Sequence, residues 1–268
     1  MIRPSEIQQK ANRLGVRDQQ IEKDYILSWI LQGISQHEEL SRTLAFKGGT
    51  VLKKIYFEDY RFSEDLDFTL LDDGIDSKTI LDWFTDVFKF VKEAANIPLT
   101  IIDTNEHADG GLNFYIGYTG PLGGSGANKK VKVDISRSEK LVFNPELKDA
   151  ILGYSDQVSH KLLCYTLEEI LVEKLRSVMQ RVQARDFYDI WYLIENQGMD
   201  AGYVIPDFET KCEQKGLKSG EFYAKLQQRI PQYQARWRTS IASQIQDLPD
   251  FEKMLREVNR KLKDFPAG

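Results

Sequence analysis

The 268 residues are 41% apolar and 29% charged and carry a formal net charge of −5. That balance describes a globular chain, neither disordered nor fibrous, and argues against a protein that coats nucleic acid by indiscriminate phosphate neutralisation. The opening MIRPSEIQQK lacks the apolar run of a signal peptide, and no stretch approaches the roughly eighteen apolar residues of a membrane span, so a cytoplasmic protein with no membrane partner is expected.

In chain order, Ile21, Tyr25, Leu27, Ile30 and Leu31 recur near helical spacing, which predicts an amphipathic helix over 18–35. Leu44-Ala45-Phe46 is a short apolar run that ends at Gly48-Gly49, the punctuation of a tight turn. Thr50 is then placed to cap a helix over 51–57. From Phe62 to Leu70 apolar and polar residues alternate, predicting a strand with Ser63, Asp65, Asp67 and Thr69 on one face. A helix is expected over 76–96, with strands over 97–102, 112–118 and 131–136. The last two are joined by a connector, 120–128, rich in glycine. It matches neither phosphate-loop pattern and is followed by a strand, so a flexible hairpin connector is expected. Lys132, Asp134 and Ser136 should face away from Val131, Val133 and Ile135.

Beyond Asn144 strand signals fade and helical periodicity prevails. Thr166-x-x-Glu169 has capping-box spacing. Further helices are expected over 185–196, 219–228, 231–246 and 251–263. The two halves predict an α+β chain of two domains, 1–150 with a sheet and 151–268 helical. Cys164 and Cys212 lack metal-ligand or paired spacing and read as free thiols. No histidine or serine has the setting of a nucleophilic triad.

Asp65 and Asp67 lie two apart on a strand, which puts their carboxylates on one face, about 7 Å apart at Cα. Such a pair is compatible with a solvated strand face or with a hard divalent cation. Asp134 on a second polar strand face could complete a metal site, or could be a surface acid balanced by Lys132 and Arg137. The glycines of Gly48-Gly49-Thr50 allow close backbone approach, and a helix starting there presents N–H groups to phosphate. Lys174, set among apolar neighbours, needs an anionic partner or substrate. Asp186 and Asp189 share a helix face and could orient it, or could belong to a salt-bridged helix surface. The closing helices carry Arg236, Arg238, Lys253, Arg256, Arg260, Lys261 and Lys263, diluted by acids that include Asp264.

In this order the motifs resemble the AbiEii-type nucleotidyltransferase toxins of type IV toxin–antitoxin and abortive-infection systems, within the DNA polymerase β-like superfamily. KGGT with RFSEDLDF is similar to the family's first motif, VKVDIS to its second, EEILVEKLRSV to its third and ARDFYDIWYL to its fourth; IEKDYILSWIL resembles its N-terminal helix. The resemblance implies a nucleotidyltransferase-fold domain, a mixed sheet with flanking helices, followed by a helical domain that contributes active-site residues. It implies that Gly48, Gly49, Thr50, Ser63 and Lys174 hold an NTP and that Asp65, Asp67 and Asp134 bind Mg2+ (or Mn2+). Asp134 would help activate the acceptor hydroxyl and Asp189 would be the last essential acid, with Arg61, Arg185 and Asp186 in support. The implied reaction transfers NMP to an acceptor, RNA at the tRNA 3′ end being favoured, and a cognate antitoxin is implied as partner. Lys129, Lys130, Lys132, Arg137 and Lys140 offer local positive charge for RNA despite the net −5. A protein or small-molecule hydroxyl as acceptor, or a non-catalytic NTP-binding protein, are the competing readings.

Overall fold

A computed structural model describes the chain except for Ser125, Ala127, Asn128, Ser138, Asp264 and 266–268. Part of the predicted connector, and Asp264, therefore lie outside the described residues. The chain divides into two compact units, Met1–Glu139 with Pro145–Tyr165, and Lys140–Asn144 with Thr166–Gly268. Among the described residues no helix is long and apolar enough to cross a membrane.

The first unit carries helices α1 (Pro4–Leu14), α2 (Asp18–Gln36), α3 (Glu38–Thr43), α4 (Gly48–Val51) and α5 (Ser77–Ala95). Its seven strands are β1 (Leu44–Lys47), β2 (Asp65–Leu70), β3 (Leu99–Glu106), β4 (Leu112–Tyr118), β5 (Lys130–Ser136), β6 (Glu146–Asp149) and β7 (Lys161–Cys164). They form one mixed sheet in the order β3-β4-β5-β2-β1-β7-β6, with β2–β5 and β1–β7 parallel and the remaining pairs antiparallel. The expected α+β class, a mixed sheet with flanking helices, is what the chain adopts.

Phe46, Leu66, Phe68, Phe114, Ile116, Val133 and Ile135 are buried. Phe114 meets Phe84 of α5 edge-on at 4.9 Å, so α5 covers the apolar face. The helix begins where Asp76 accepts the Thr79 N–H at 2.7 Å and stops at Asn96, whose φ of 55 ends it in a left-handed residue. Helix α2 is buried nearly all round, and it approaches α5 so closely at Gly33 that a Cβ there would lie 2.7 Å from Val87 Cγ1. No larger residue fits that crossing without displacing α5.

Three local expectations are corrected. The helix after β1 starts at Gly48 with Lys47 in the cap position and passes into a wider π turn over Leu52–Tyr56. Thr50 is therefore inside the first turn, where its hydroxyl donates to the Asp65 carbonyl at 2.5 Å. Phe62 and Ser63 are both buried and precede β2, so the alternation over 62–64 is not a ladder. Strands also continue past Asn144: β6 and β7 add two to the sheet, β7 beside β1 through Phe46 and Cys164.

The second unit holds α6 (Leu167–Gln180), α7 (Ala184–Trp191), α8 (Ile205–Gln214), α9 (Phe222–Ile241) and α10 (Phe251–Lys261). Thr166 caps α6 by accepting the Glu169 N–H at 3.3 Å. The Glu169 side chain does not close the expected box. Its Oε2 accepts from the backbone N–H groups of Val142 and Phe143 at 3.1 and 2.9 Å, and Lys211 lies 2.7 Å from its Oε1. That acid ties segment 140–144 into this unit. Helix α9 runs through Pro231 as one helix where two were expected. Its Tyr233 stacks on Phe187 of α7 at 5.4 Å, and Trp237 meets Phe251 of α10 at 5.5 Å.

Candidate active site

On the face opposite α5, strand register brings the first unit's acids together. In the parallel ladder Asp65 pairs with Lys132 and Asp67 with Asp134, and in the antiparallel ladder to β1 Asp67 pairs with Lys47. Because side chains alternate, these five residues project from one face, joined by Asn113 and Tyr115 from β4. All three acids are half-buried. Like charges so placed, with part of their hydration removed, demand cations.

Lys132 answers part of that demand. Its ammonium pairs with Asp134 Oδ2, while the Asn113 amide donates to Oδ1 at 3.2 Å. Partial burial pushes the Lys132 pKa down, but its bond to Asp134 and the charges of Asp134, Asp65 and Asp67 raise it overall. Of the two cations expected to balance Asp134, Arg137 instead donates to the Ile75 carbonyl. Among the described residues no group of three or more His, Cys, Asp or Glu converges closely enough to hold a metal ion. Asp134 thus stands in register beside Asp67 without joining Asp65 and Asp67 in one cluster. Lys47 donates to Ser136 Oγ at 2.7 Å, and Thr69 shares a hydrogen bond with the Tyr165 hydroxyl at 2.6 Å.

The turn after β1 abuts these acids. Gly48 has a φ of +81, and a Cβ there would collide with the Asp67 carboxylate. Both the backbone conformation and the close approach require glycine. Gly49 and Thr50 are buried in α4, and Thr50 fastens it to the first residue of β2. Ser63 is buried; so is Arg61, whose guanidinium donates to the Phe62 carbonyl at 3.3 Å and lies 5.6 Å from the Tyr60 ring. Gly48→Ala is expected to destabilise the fold by about 1–2 kcal/mol through the left-handed φ alone. A thermal melt measures that loss.

Three consecutive residues of α2, to which the motif reading gave no role, hold this framework. Glu22, fully buried, accepts the Leu122 N–H at 2.8 Å and binds the Lys129 ammonium. A Cβ on Gly120 would lie 2.7 Å from Glu22 Oε1, so the connector folds tightly onto that carboxylate. Lys23 pairs with Glu64 at 2.9 Å, just ahead of β2. Asp24 pairs with Lys54 at 2.7 Å and accepts the Tyr154 hydroxyl at 2.7 Å. The signal available in the sequence was their place in IEKDYILSWIL, charged residues beside an apolar, buried stretch.

The basic residues expected near Asp134 are largely committed. Lys129 is bound to Glu22, Lys130 lies 4.1 Å over the Tyr115 ring, and Arg137 is bound to the Ile75 carbonyl. Lys140 belongs to the second unit.

In the second unit Lys174 of α6 lies 2.7 Å from Asp186 Oδ1 and 2.7 Å from Asp189 Oδ2, both on α7. Asp186 Oδ2 also accepts from Arg181 Nε at 2.9 Å. Asp189 is fully buried and Asp186 nearly so. Burial pushes the Asp186 carboxyl up, but the Lys174 ammonium and the Arg181 guanidinium outweigh it and hold it down, to about 2. Two anions and two cations make a neutral quartet, buried except for the Arg181 side chain. Arg181 was not anticipated because it lies beyond the end of α6, outside any periodic pattern. Arg185 is half-buried near the start of α7.

Several solved structures share this fold. MenT4, a nucleotidyltransferase toxin from Mycobacterium tuberculosis, superposes with a TM-score of 0.71 at 20% identity, covering 100% of this chain and 91% of its own. JHP933 from Helicobacter pylori does so with a TM-score of 0.61 at 15% identity, covering 92% of each chain. No curated protein sequence matches. The family model described as nucleotidyl transferase AbiEii toxin, type IV TA system, matches residues 29–260, a span that takes in all four ordered motifs. The chain therefore belongs to the AbiEii nucleotidyltransferase toxins of type IV toxin–antitoxin systems, and it is a nucleotidyltransferase.

Proposed function

We propose that this toxin transfers a nucleoside monophosphate from an NTP to RNA, at the 3′ end of tRNA, using Mg2+ or Mn2+ and releasing pyrophosphate. The observation that carries the reading is the shared face of Asp65, Asp67 and Asp134 on in-register parallel strands, beside the Gly48 turn. Carboxylate oxygens are the donor set that hard divalent ions prefer. The residues present thus fit such a metal: Asp65 and Asp67 would hold it and Asp134 stands next in register. Bound there, the ion would neutralise charge on the triphosphate and on the leaving pyrophosphate.

The remaining chemistry belongs to the chain. The acceptor hydroxyl attacks the α-phosphorus, the bond to the oxygen bridging the β-phosphate breaks, and pyrophosphate leaves with that electron pair. Asp134 takes the hydroxyl proton. Gly48, Gly49, Thr50 and Ser63 are assigned to the triphosphate, with Arg61 in support. Lys174 is assigned to triphosphate or transition-state charge, and Asp186 and Asp189 orient its ammonium, with Arg185 in support. What supports the RNA acceptor is the family, since most of the basic residues near Asp134 already have partners. A cognate antitoxin and a cytoplasmic setting complete the proposal.

Incubation with each α-labelled NTP, total tRNA and cell extract is expected to label tRNA in a metal-dependent way. Label confined to a protein or a small molecule would replace the acceptor. Absence of any transfer while NTP still binds would remove the catalytic reading.

A further inference from the structure

Lys132 occupies an unusual place for a surface lysine. It stands in register opposite Asp65 on the face that carries three carboxylates, and its ammonium is bound to Asp134 Oδ2. Asn113 holds the other oxygen of that carboxylate, so Asp134 is oriented from two sides. The acids nevertheless do not converge into a group of three among the described residues. One cation on the face is therefore supplied by the protein itself.

The hold on Asp134 is reversible on physical grounds. The Lys132 and Asp134 side chains are 32% and 34% exposed, the range in which an ion pair is screened by water and contributes little. A lysine ammonium sits on a flexible four-carbon stem and can leave without disturbing the strand. A divalent cation brings twice the charge to the same oxygen.

We propose that Lys132 is a built-in counterion that competes with the divalent cation for Asp134, so that metal entry displaces its ammonium and frees Asp134 to act with Asp65 and Asp67. Lys132 is then a positioning residue. The freed ammonium stays on the sheet face that the anionic substrate meets. This inference rests on the metal reading given above.

The test is Mn2+ binding to the full chain, followed by the paramagnetic signal of free Mn2+ and needing no turnover. Lys132→Met is expected to tighten Mn2+ binding about tenfold, the effect of removing one nearby charge from a half-exposed site. Lys132→Arg keeps the cation and should stay within about threefold of wild type. Lys132→Gln, read the same way, replaces the Met variant if that one does not fold. Unchanged or weaker Mn2+ binding in the neutral variants overturns the competition. If Asp67→Asn leaves wild-type Mn2+ affinity unaltered, the metal reading itself fails, and that result is distinct from a failure confined to Lys132.

Discussion

Asp67→Asn is expected to lower nucleotide transfer by about a thousandfold while leaving the melting temperature close to wild type, because it removes charge at the proposed reacting centre and almost no volume. Asp67 is the residue on which the first unit's site converges. It is in register with Asp134 on one side and Lys47 on the other, and Gly48 has no side chain where its carboxylate lies. An amide fills that space but cannot neutralise a divalent ion. The measurement is kcat/KM for label incorporation, with circular dichroism as the control for folding. A loss smaller than about tenfold would take Asp67 out of the chemical step.

Lys174→Met is expected to destabilise the helical unit by about 3–5 kcal/mol, since it leaves two buried carboxylates facing one another. Asp189 is fully buried, and Asp186 would retain only Arg181, a side chain 58% exposed. The variant should unfold at a much lower urea concentration than wild type. By contrast Lys78→Met, which breaks the exposed pair with Asp82, should change little. If Lys174→Met keeps wild-type stability, the carboxylates have shed their charge, and the quartet is not a set of ion pairs. This expectation concerns stability alone, so a folded but inactive Lys174→Met protein would point to Lys174 in the reaction.

Much of this architecture is legible in the sequence, for reasons that differ by element. Helix α5 shows itself through Ile80, Phe84, Val87, Phe88 and Val91, because one side faces the sheet and the other faces water. Strand β5 does so because Val131, Val133 and Ile135 are buried and the residues between them are not. Strand β6, Glu146–Asp149, lies at the sheet edge and is largely solvated, so no alternation marks it. Helix α8 was missed because one residue of its buried face is Lys211, held by Glu169 and Glu173, and a buried lysine reads as a polar break. Pro231 misled in the opposite direction, splitting α9 where packing by Tyr233 and Trp237 keeps it whole.

The candidate site was legible in its residue types and only partly in its wiring. Asp65, Asp67 and Asp134 could be assigned to one polar face because side-chain direction alternates strictly along a strand. That Lys132 takes Asp134 while Arg137 turns to a backbone carbonyl depends on strand register and loop path, which periodicity does not encode. Thr50 was read as a cap because a hydroxyl after two glycines commonly is one. Its actual acceptor lies fifteen positions along the chain, on Asp65.

Glu22, Lys23 and Asp24 add a last point. Successive helical residues point about 100° apart, so three neighbouring side chains on α2 can tie down three different segments at once. All three lie before residue 29, where the family model's match begins. A fragment trimmed to that match would keep every candidate catalytic residue. It would also strand the buried Lys54 without its carboxylate and release the connector that leads into β5. In this chain the first residue that the family model matches falls inside the physical unit that has to fold.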